Sequence, residues 1–208
     1  MKKEDKLKPL LGPLEAIQTF FESGKYHGMI IGGVAASILG KPRFTKDVDL
    51  VVMIEDMDFS AFLDKTKQVG LEPRIKDVEA FAHKSNVFLL RHKGSGIPID
   101  ISIAILPFEK KAISRKQSIR IDNLTITIPT PEDLIIFKAV AHRPQDLVDI
   151  QEMLKLHQQL DWKYIRKWVK EFASLLEMPE IYNDIKVLFK KPIINKASQG
   201  DESISRWR

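Results

Sequence analysis

No cysteine occurs in the 208 residues. That absence excludes a disulfide framework, a thiolate zinc site and a cysteine nucleophile, and it suits a reducing compartment, so a cytoplasmic protein is expected. Long apolar runs are also missing. The longest uncharged stretch, Met29 to Gly40, is well short of the roughly 18 to 20 residues a helical membrane span needs, and no membrane partner is expected. The first nine residues interleave Lys with Glu and Asp, without the apolar centre and small-residue cleavage site of a secretory leader. His27, His83, His92, His142 and His157 show no metal-ligand spacing. Gly40-Lys41 is not a P-loop, because Ala35 stands where the first glycine is required and Pro42 where the Mg²⁺-binding hydroxyl belongs. Gly94-Ser95-Gly96 likewise lacks the spacing of a nucleophile elbow.

What remains is an ordinary globular composition, 44% hydrophobic and 29% charged, long enough to bury a real core. The net charge of +5 favours a polyanionic partner such as a nucleotide or RNA. Apolar residues at Leu10, Leu14, Ile17 and Phe21 predict a helix from Leu10 to Glu22, closed by Gly24. Strands are expected at Met29 to Ile31, Val48 to Ile54, Val87 to Arg91 and Pro98 to Ile105, with a last pair around Asp122-Asn123. Helices are expected at Val34 to Leu39 and Phe59 to Val69. From Thr130-Pro131-Glu132-Asp133, which reads as a helix start, the pattern is helical to about Lys190.

Three acids and a glycine pair carry the chemistry. Asp47 and Asp49 are two apart, so in a strand they share one face while Val48, Leu50 and Val52 fill the other. Carboxylates this close repel unless a cation holds them, and a pair of hard oxygen ligands suits Mg²⁺. In Ile99-Asp100-Ile101-Ser102-Ile103 the isoleucines alternate toward a core and Asp100 opens the other face. Gly32-Gly33 falls between an apolar strand and a helix, where absent side chains and helix N-terminal N–H groups let phosphates approach. Ser37 sits early enough in that helix to be a candidate phosphate contact. Arg43 and Lys46 flank the acids as candidate phosphate or acceptor cations. Lys138 lies inside the apolar run Leu134 to Ala141, where a buried ammonium needs an anion; a triphosphate would supply one.

Ile31-Gly32-Gly33, Asp47-Val48-Asp49-Leu50 and Ile99-Asp100-Ile101 resemble, in order and spacing, the polymerase-β-type nucleotidyltransferase superfamily. Within it, Arg43-Phe44-Thr45-Lys46-Asp47-Val48-Asp49, Asp133-Leu134-Ile135-Ile136-Phe137-Lys138 and Arg143-Pro144-Gln145-Asp146-Leu147-Val148-Asp149-Ile150 look like the abortive-infection (AbiEii-type) toxin-like nucleotidyltransferases. Arg143, Asp146 and Asp149 are expected mainly to organise a helix junction. Many members carry Gly-Ser where this chain has Gly32-Gly33.

The resemblance implies an α+β (α/β) fold: a mixed β-sheet nucleotidyltransferase core over residues 1–128, with flanking helices. A C-terminal helical region over 129–190 and a tail over 191–208, expected to be disordered, follow. It further implies two Mg²⁺ ions, with Mn²⁺ as a substitute, held by Asp47, Asp49 and Asp100. They would align a nucleoside triphosphate with an acceptor hydroxyl, Asp100 helping to deprotonate the acceptor, so that a nucleoside monophosphate is transferred and pyrophosphate leaves. Nucleotide binding would fall to Gly32, Gly33, Ser37, Arg43, Lys46 and Lys138. The acceptor is left open among tRNA or other RNA, a protein side chain and an aminoglycoside, and a toxin–antitoxin partner is a further expectation. The competing readings are an antibiotic adenylyltransferase and a non-catalytic nucleotide-binding regulatory or antitoxin module.

Overall fold

The structure is a computed structural model; it describes residues 7–23, 26–54 and 58–190. They fall into two compact units. One takes the described residues up to Ile38 together with Pro42–Thr130; the second takes Leu39–Lys41 and the described residues from Pro131 onward.

The first unit opens with a short 3-10 turn, Lys8–Leu10, and helix α1, Leu11–Glu22. Gly24, the residue expected to close this helix, lies outside the described residues. Strand β1 (His27–Ile30) leads through Gly32 into α2 (Gly32–Leu39), and β2 is Val48–Met53. Helix α3 (Phe59–Gln68) is capped by Asp58, whose Oδ1 accepts from the Ala61 N–H at 2.9 Å. Then come β3 (Leu71–Pro73), α4 (Val78–Ser85), β4 (Val87–His92), β5 (Pro98–Ile103), α5 (Pro107–Ser114), β6 (Gln117–Ile121) and β7 (Leu124–Ile128). Neither β3, α4 nor α5 is expected from the sequence pattern. Each is short, and β3 ends in a proline that argues against a strand unless its N–H is not needed by the ladder.

Five strands form one mixed sheet in the order β1-β2-β5-β4-β3. Only β2 and β5 run parallel, with Asp49 opposite Asp100 and Leu50 opposite Ile101. The register carries one row of Ile30, Leu50, Ile101 and Phe88 across the sheet, and all four are fully buried. Phe88 stacks on Phe62 of α3 at 4.7 Å, and Phe62 meets Phe20 of α1 and Tyr26 edge-on at 5.5 and 5.0 Å. This aromatic cluster fastens α1 and α3 to the core face. The opposite face is divided: Met29 and Val51 are buried, where α5 packs on β1 and β2, while Asp49 and Asp100 are only half-buried. The β6–β7 hairpin lies against the edge strand β1, where Thr127 Oγ1 donates to the Gly28 carbonyl at 3.1 Å. That cover blunts an otherwise open strand edge.

The second unit holds α6 (Pro131–Ala141), α7 (Pro144–Leu156), α8 (Trp162–Leu175) and α9 (Pro179–Lys190). Pro131 and Pro144 occupy first-turn positions, where a missing N–H costs nothing, and His142 turns the chain between α6 and α7 at φ +52°. Tyr164 donates its hydroxyl to the buried Asp133 at 2.7 Å, and Trp162 meets Phe189 edge-on at 4.5 Å.

Ile101 is central to the apolar row. Ile101→Ala should cost about 2–5 kcal/mol, the range for emptying a well-packed core position, as measured by guanidinium unfolding. Ser102→Ala on the half-buried face should cost under about 1 kcal/mol.

Candidate active site

The parallel β2–β5 pairing puts Asp49 and Asp100 side by side on the half-buried face. Asp47 is not in the strand, which begins at Val48; it occupies the bend just before it. Its carboxylate is held by Thr45, whose Oγ1 donates to Asp47 Oδ1 at 2.7 Å, and it lies close enough to Asp100 to act on that carboxyl electrostatically. The three acids therefore converge, although through a bend and two strands rather than along one strand.

Gly32 abuts Asp49. The Ile31 N–H donates to the Asp49 carbonyl at 2.8 Å, the chain turns at Gly32 with φ +62°, and a Cβ there would overlap Asp49 Oδ2. Both the backbone conformation and the space demand glycine. Gly33 is nearly as confined: an added Cβ would fall 2.6 Å from Thr45 Oγ1 and 3.3 Å from Arg43 Nη2. The first turn of α2 is thus pressed against the acids and against the loop that leads to them.

Burial raises the Asp100 carboxyl above the ordinary aspartate range; the charge and hydrogen bond of Arg74 work against this, and the charge of Asp47 adds to it. Arg74 Nη2 lies 2.9 Å from Oδ1 and 3.2 Å from Oδ2. Oδ1 is shielded from solvent, and its ion pair with Arg74 does not form an aligned hydrogen bond. Among the described residues no group of three or more His, Asp or Glu side chains is gathered into a ready cation cage. The donor set nevertheless fits a hard divalent ion: oxygen donors only, in mutual repulsion, with one oxygen lacking an aligned donor.

The remaining candidates divide. Arg43 and Lys46 lie in the loop just before β2, Lys46 exposed and Arg43 half-buried beside Gly33. Ser37 is turned inward instead. It is 2% exposed, its hydroxyl donates to the Arg43 carbonyl at 2.9 Å, and the Arg43 N–H points back at 3.4 Å. Its hydroxyl clamps the loop that carries the acids. Lys138 has its anions within its own unit: Nζ lies 2.8 Å from Asp146 Oδ1 and 2.7 Å from Asp149 Oδ2, with the lysine 3% exposed. The reason for assigning it to a triphosphate, a buried ammonium in want of a counter-ion, is met by these two carboxylates. Thr45 and Arg74 enter the site without having been singled out in the sequence. Thr45 has a readable signal, a hydroxyl two residues before an acid; Arg74 has none, since its partner is distant in the chain.

A family described as a nucleotidyltransferase of unknown function, DUF6036, matches residues 8–195. The chain belongs to this nucleotidyltransferase family. Two solved structures share the fold. An antigenic nucleotidyltransferase-like protein from Paracoccidioides brasiliensis matches at a TM-score of 0.52 and 19% identity, over 88% of this chain and 93% of that one. The antibiotic-resistance factor ANT(2'')-Ia matches at a TM-score of 0.54 and 13% identity, over 83% and 96%. No curated protein matches the chain. The shared fold thus accounts for the mixed sheet.

Two outcomes check this geometry. Gly32→Ala should lose about 3 kcal/mol or more from positive-φ strain and displacement of Asp49 together, whereas Gly70→Ala, at φ +78° with nothing within 4 Å, should lose only about 1–2 kcal/mol. Equal losses in thermal denaturation would remove the argument for contact between Gly32 and Asp49. The second outcome concerns Asp146, where burial opposes the charge but the hydrogen bonds and charges of Arg143 and Lys138 prevail and hold the carboxyl below the ordinary aspartate range. Its stabilisation is therefore complete above the unfolded value near 3.9 and is lost as the pH falls through the lower folded value. Asp146→Asn should cost about 3 kcal/mol at neutral pH, with a gap from the unsubstituted protein that narrows below about pH 3 in urea titrations.

Proposed function

We propose that this nucleotidyltransferase transfers a nucleoside monophosphate from a triphosphate to a hydroxyl of RNA, tRNA foremost, in a Mg²⁺-dependent reaction in the cytoplasm. The observation that carries this reading is the in-register pair Asp49 and Asp100, with Gly32 against Asp49 and Asp47 acting on Asp100.

Asp47, Asp49 and Asp100 would hold the metal, as two ions by family likeness and with Mn²⁺ able to replace Mg²⁺; once bound it supplies charge neutralisation for the phosphates. The chain's own groups do the rest. The glycine turn admits phosphate oxygens to the backbone at the start of α2, and Arg43 and Lys46 add positive charge beside it. Asp100, whose burial favours the protonated form, takes the proton of the acceptor hydroxyl at a carboxylate oxygen. The acceptor oxygen then bonds to the α-phosphorus, the bond to the β-phosphate oxygen breaks, and pyrophosphate departs with that electron pair.

An RNA acceptor is supported by the net charge of +5 and by Lys163, Lys167 and Lys170, all exposed on α8, a row able to meet phosphates. The abortive-infection likeness of residues 43–49, 133–138 and 143–150 supports a toxin-like role in which a partner protein holds the activity in check. An aminoglycoside is the competing acceptor, a reading in keeping with a fold shared with an antibiotic-resistance factor.

Incubation with Mg²⁺, each α-labelled triphosphate in turn and pools of tRNA, protein or aminoglycoside should place label on RNA. Asp47→Ala and Asp49→Ala should each lower transfer by about 100-fold or more, the scale of losing one charge-stabilising group. Transfer that survives both substitutions would sink the mechanism; label found only on the aminoglycoside would overturn the choice of acceptor.

A further inference from the structure

Arg74 follows β3 directly and sits level with Asp100, two strands away. Its N–H donates to the Leu89 carbonyl at 3.0 Å, and Leu89 is in register with Asp100, which is in register with Asp49. One row across the sheet thus reads Arg74, Leu89, Asp100, Asp49. Adjacent strands lie about 4.8 Å apart, so the arginine and aspartate side chains together bridge about twice that distance to bring guanidinium and carboxylate into contact. Among the described residues that carboxylate is its side-chain partner.

As an isolated pair, 27% and 32% exposed, this contact would contribute little to stability. Its location gives it another consequence. Asp100 stands in line with Asp49 and within electrostatic reach of Asp47, so a cation at Asp100 relieves repulsion among three acids. The guanidinium approaches both oxygens of Asp100, so whichever oxygen a divalent ion would take is already engaged. A carboxylate with this one nitrogen set against both of its oxygens is not fully open to a metal ion.

Resting on the reading of the three acids as a metal site, we propose that Arg74 is the resident counter-ion of Asp100 within the acidic cluster. It neutralises Asp100 while the site is metal-free, must give up that carboxylate when a divalent cation takes it, and so lowers the apparent metal affinity. The affinity measured for such a site is the intrinsic affinity scaled by the fraction of molecules in which Asp100 is released. An arginine suits this position, because lysine offers a single point charge on a shorter reach.

The test is Mn²⁺ titration without nucleotide, free ion being followed by electron paramagnetic resonance, on the full chain and on Arg74→Gln, Arg74→Lys, Asp100→Asn and the Arg74→Gln/Asp100→Asn double variant. Arg74→Gln should lower the Mn²⁺ dissociation constant by about three- to tenfold, as the competing fraction disappears, and Arg74→Lys should fall between it and the unsubstituted chain. Asp100→Asn should weaken binding, and adding Arg74→Gln to it should change nothing further. In metal-free buffer Arg74→Gln should also melt at a lower temperature, a loss that saturating Mn²⁺ restores; this separates displaced charge from simple misfolding. Affinity that is unchanged or weakened in Arg74→Gln overturns the role of Arg74 and leaves the metal site standing. Failure of all five proteins to bind Mn²⁺ removes the metal site and, with it, both proposals.

Discussion

The hydrogen bonds between β2 and β5 bring Asp49 level with Asp100, and a parallel pairing is what allows two acids from distant parts of the chain to share one row. Such a pairing needs a crossover, here the run through α3, β3, α4 and β4, and that run also delivers Arg74 to the same level. The apolar row beneath, Ile30, Leu50, Ile101 and Phe88, fixes the register. A slip by one residue would turn the acids into the core and Leu50 and Ile101 out of it. Core packing and site geometry are therefore one constraint: the energy that buries the isoleucines also holds the carboxylates together against their repulsion.

Period-two alternation makes most of the sheet legible in the sequence. Ile99-Asp100-Ile101-Ser102-Ile103 reads as a half-buried strand, and its burial alternates accordingly. Asp47-Val48-Asp49 is read less well by the same rule. The pattern treats both acids as strand residues, whereas Asp47 is held in the bend by Thr45, a local hydroxyl–carboxylate contact that competes with strand geometry. Three short elements, β3, α4 and α5, escape notice because each is too brief to establish a period and is held by its neighbours rather than by propensity.

Charged residues were harder to read than apolar ones. The sequence shows the apolar residues around Lys138 and so a need for an anion, while Asp146 and Asp149, on the next helix, meet it only through the packing of α6 on α7. Arg74 presented the converse case, a cation in a polar stretch with nothing nearby to mark it. Ser37 had the right position for a phosphate contact, but its burial and its bond to the Arg43 carbonyl spend the hydroxyl on the loop. A side chain's partner is a property of the tertiary fold, and spacing along one element constrains it only when the partner lies on that element.

The crossover between β2 and β5 also bears on when the site comes into being. Asp49 precedes Asp100 by the whole run from α3 to β4, so during synthesis the earlier acids emerge well before the strand that will stand beside them. Contacts so distant in sequence form late and together with the core. A nascent or truncated chain ending before Ile103 thus lacks β5 as a complete strand and holds Asp47 and Asp49 without their third partner. Assembly of the acidic cluster coincides with completion of the sheet, and a cell making this protein meets its assembled site only once β5 has joined that sheet.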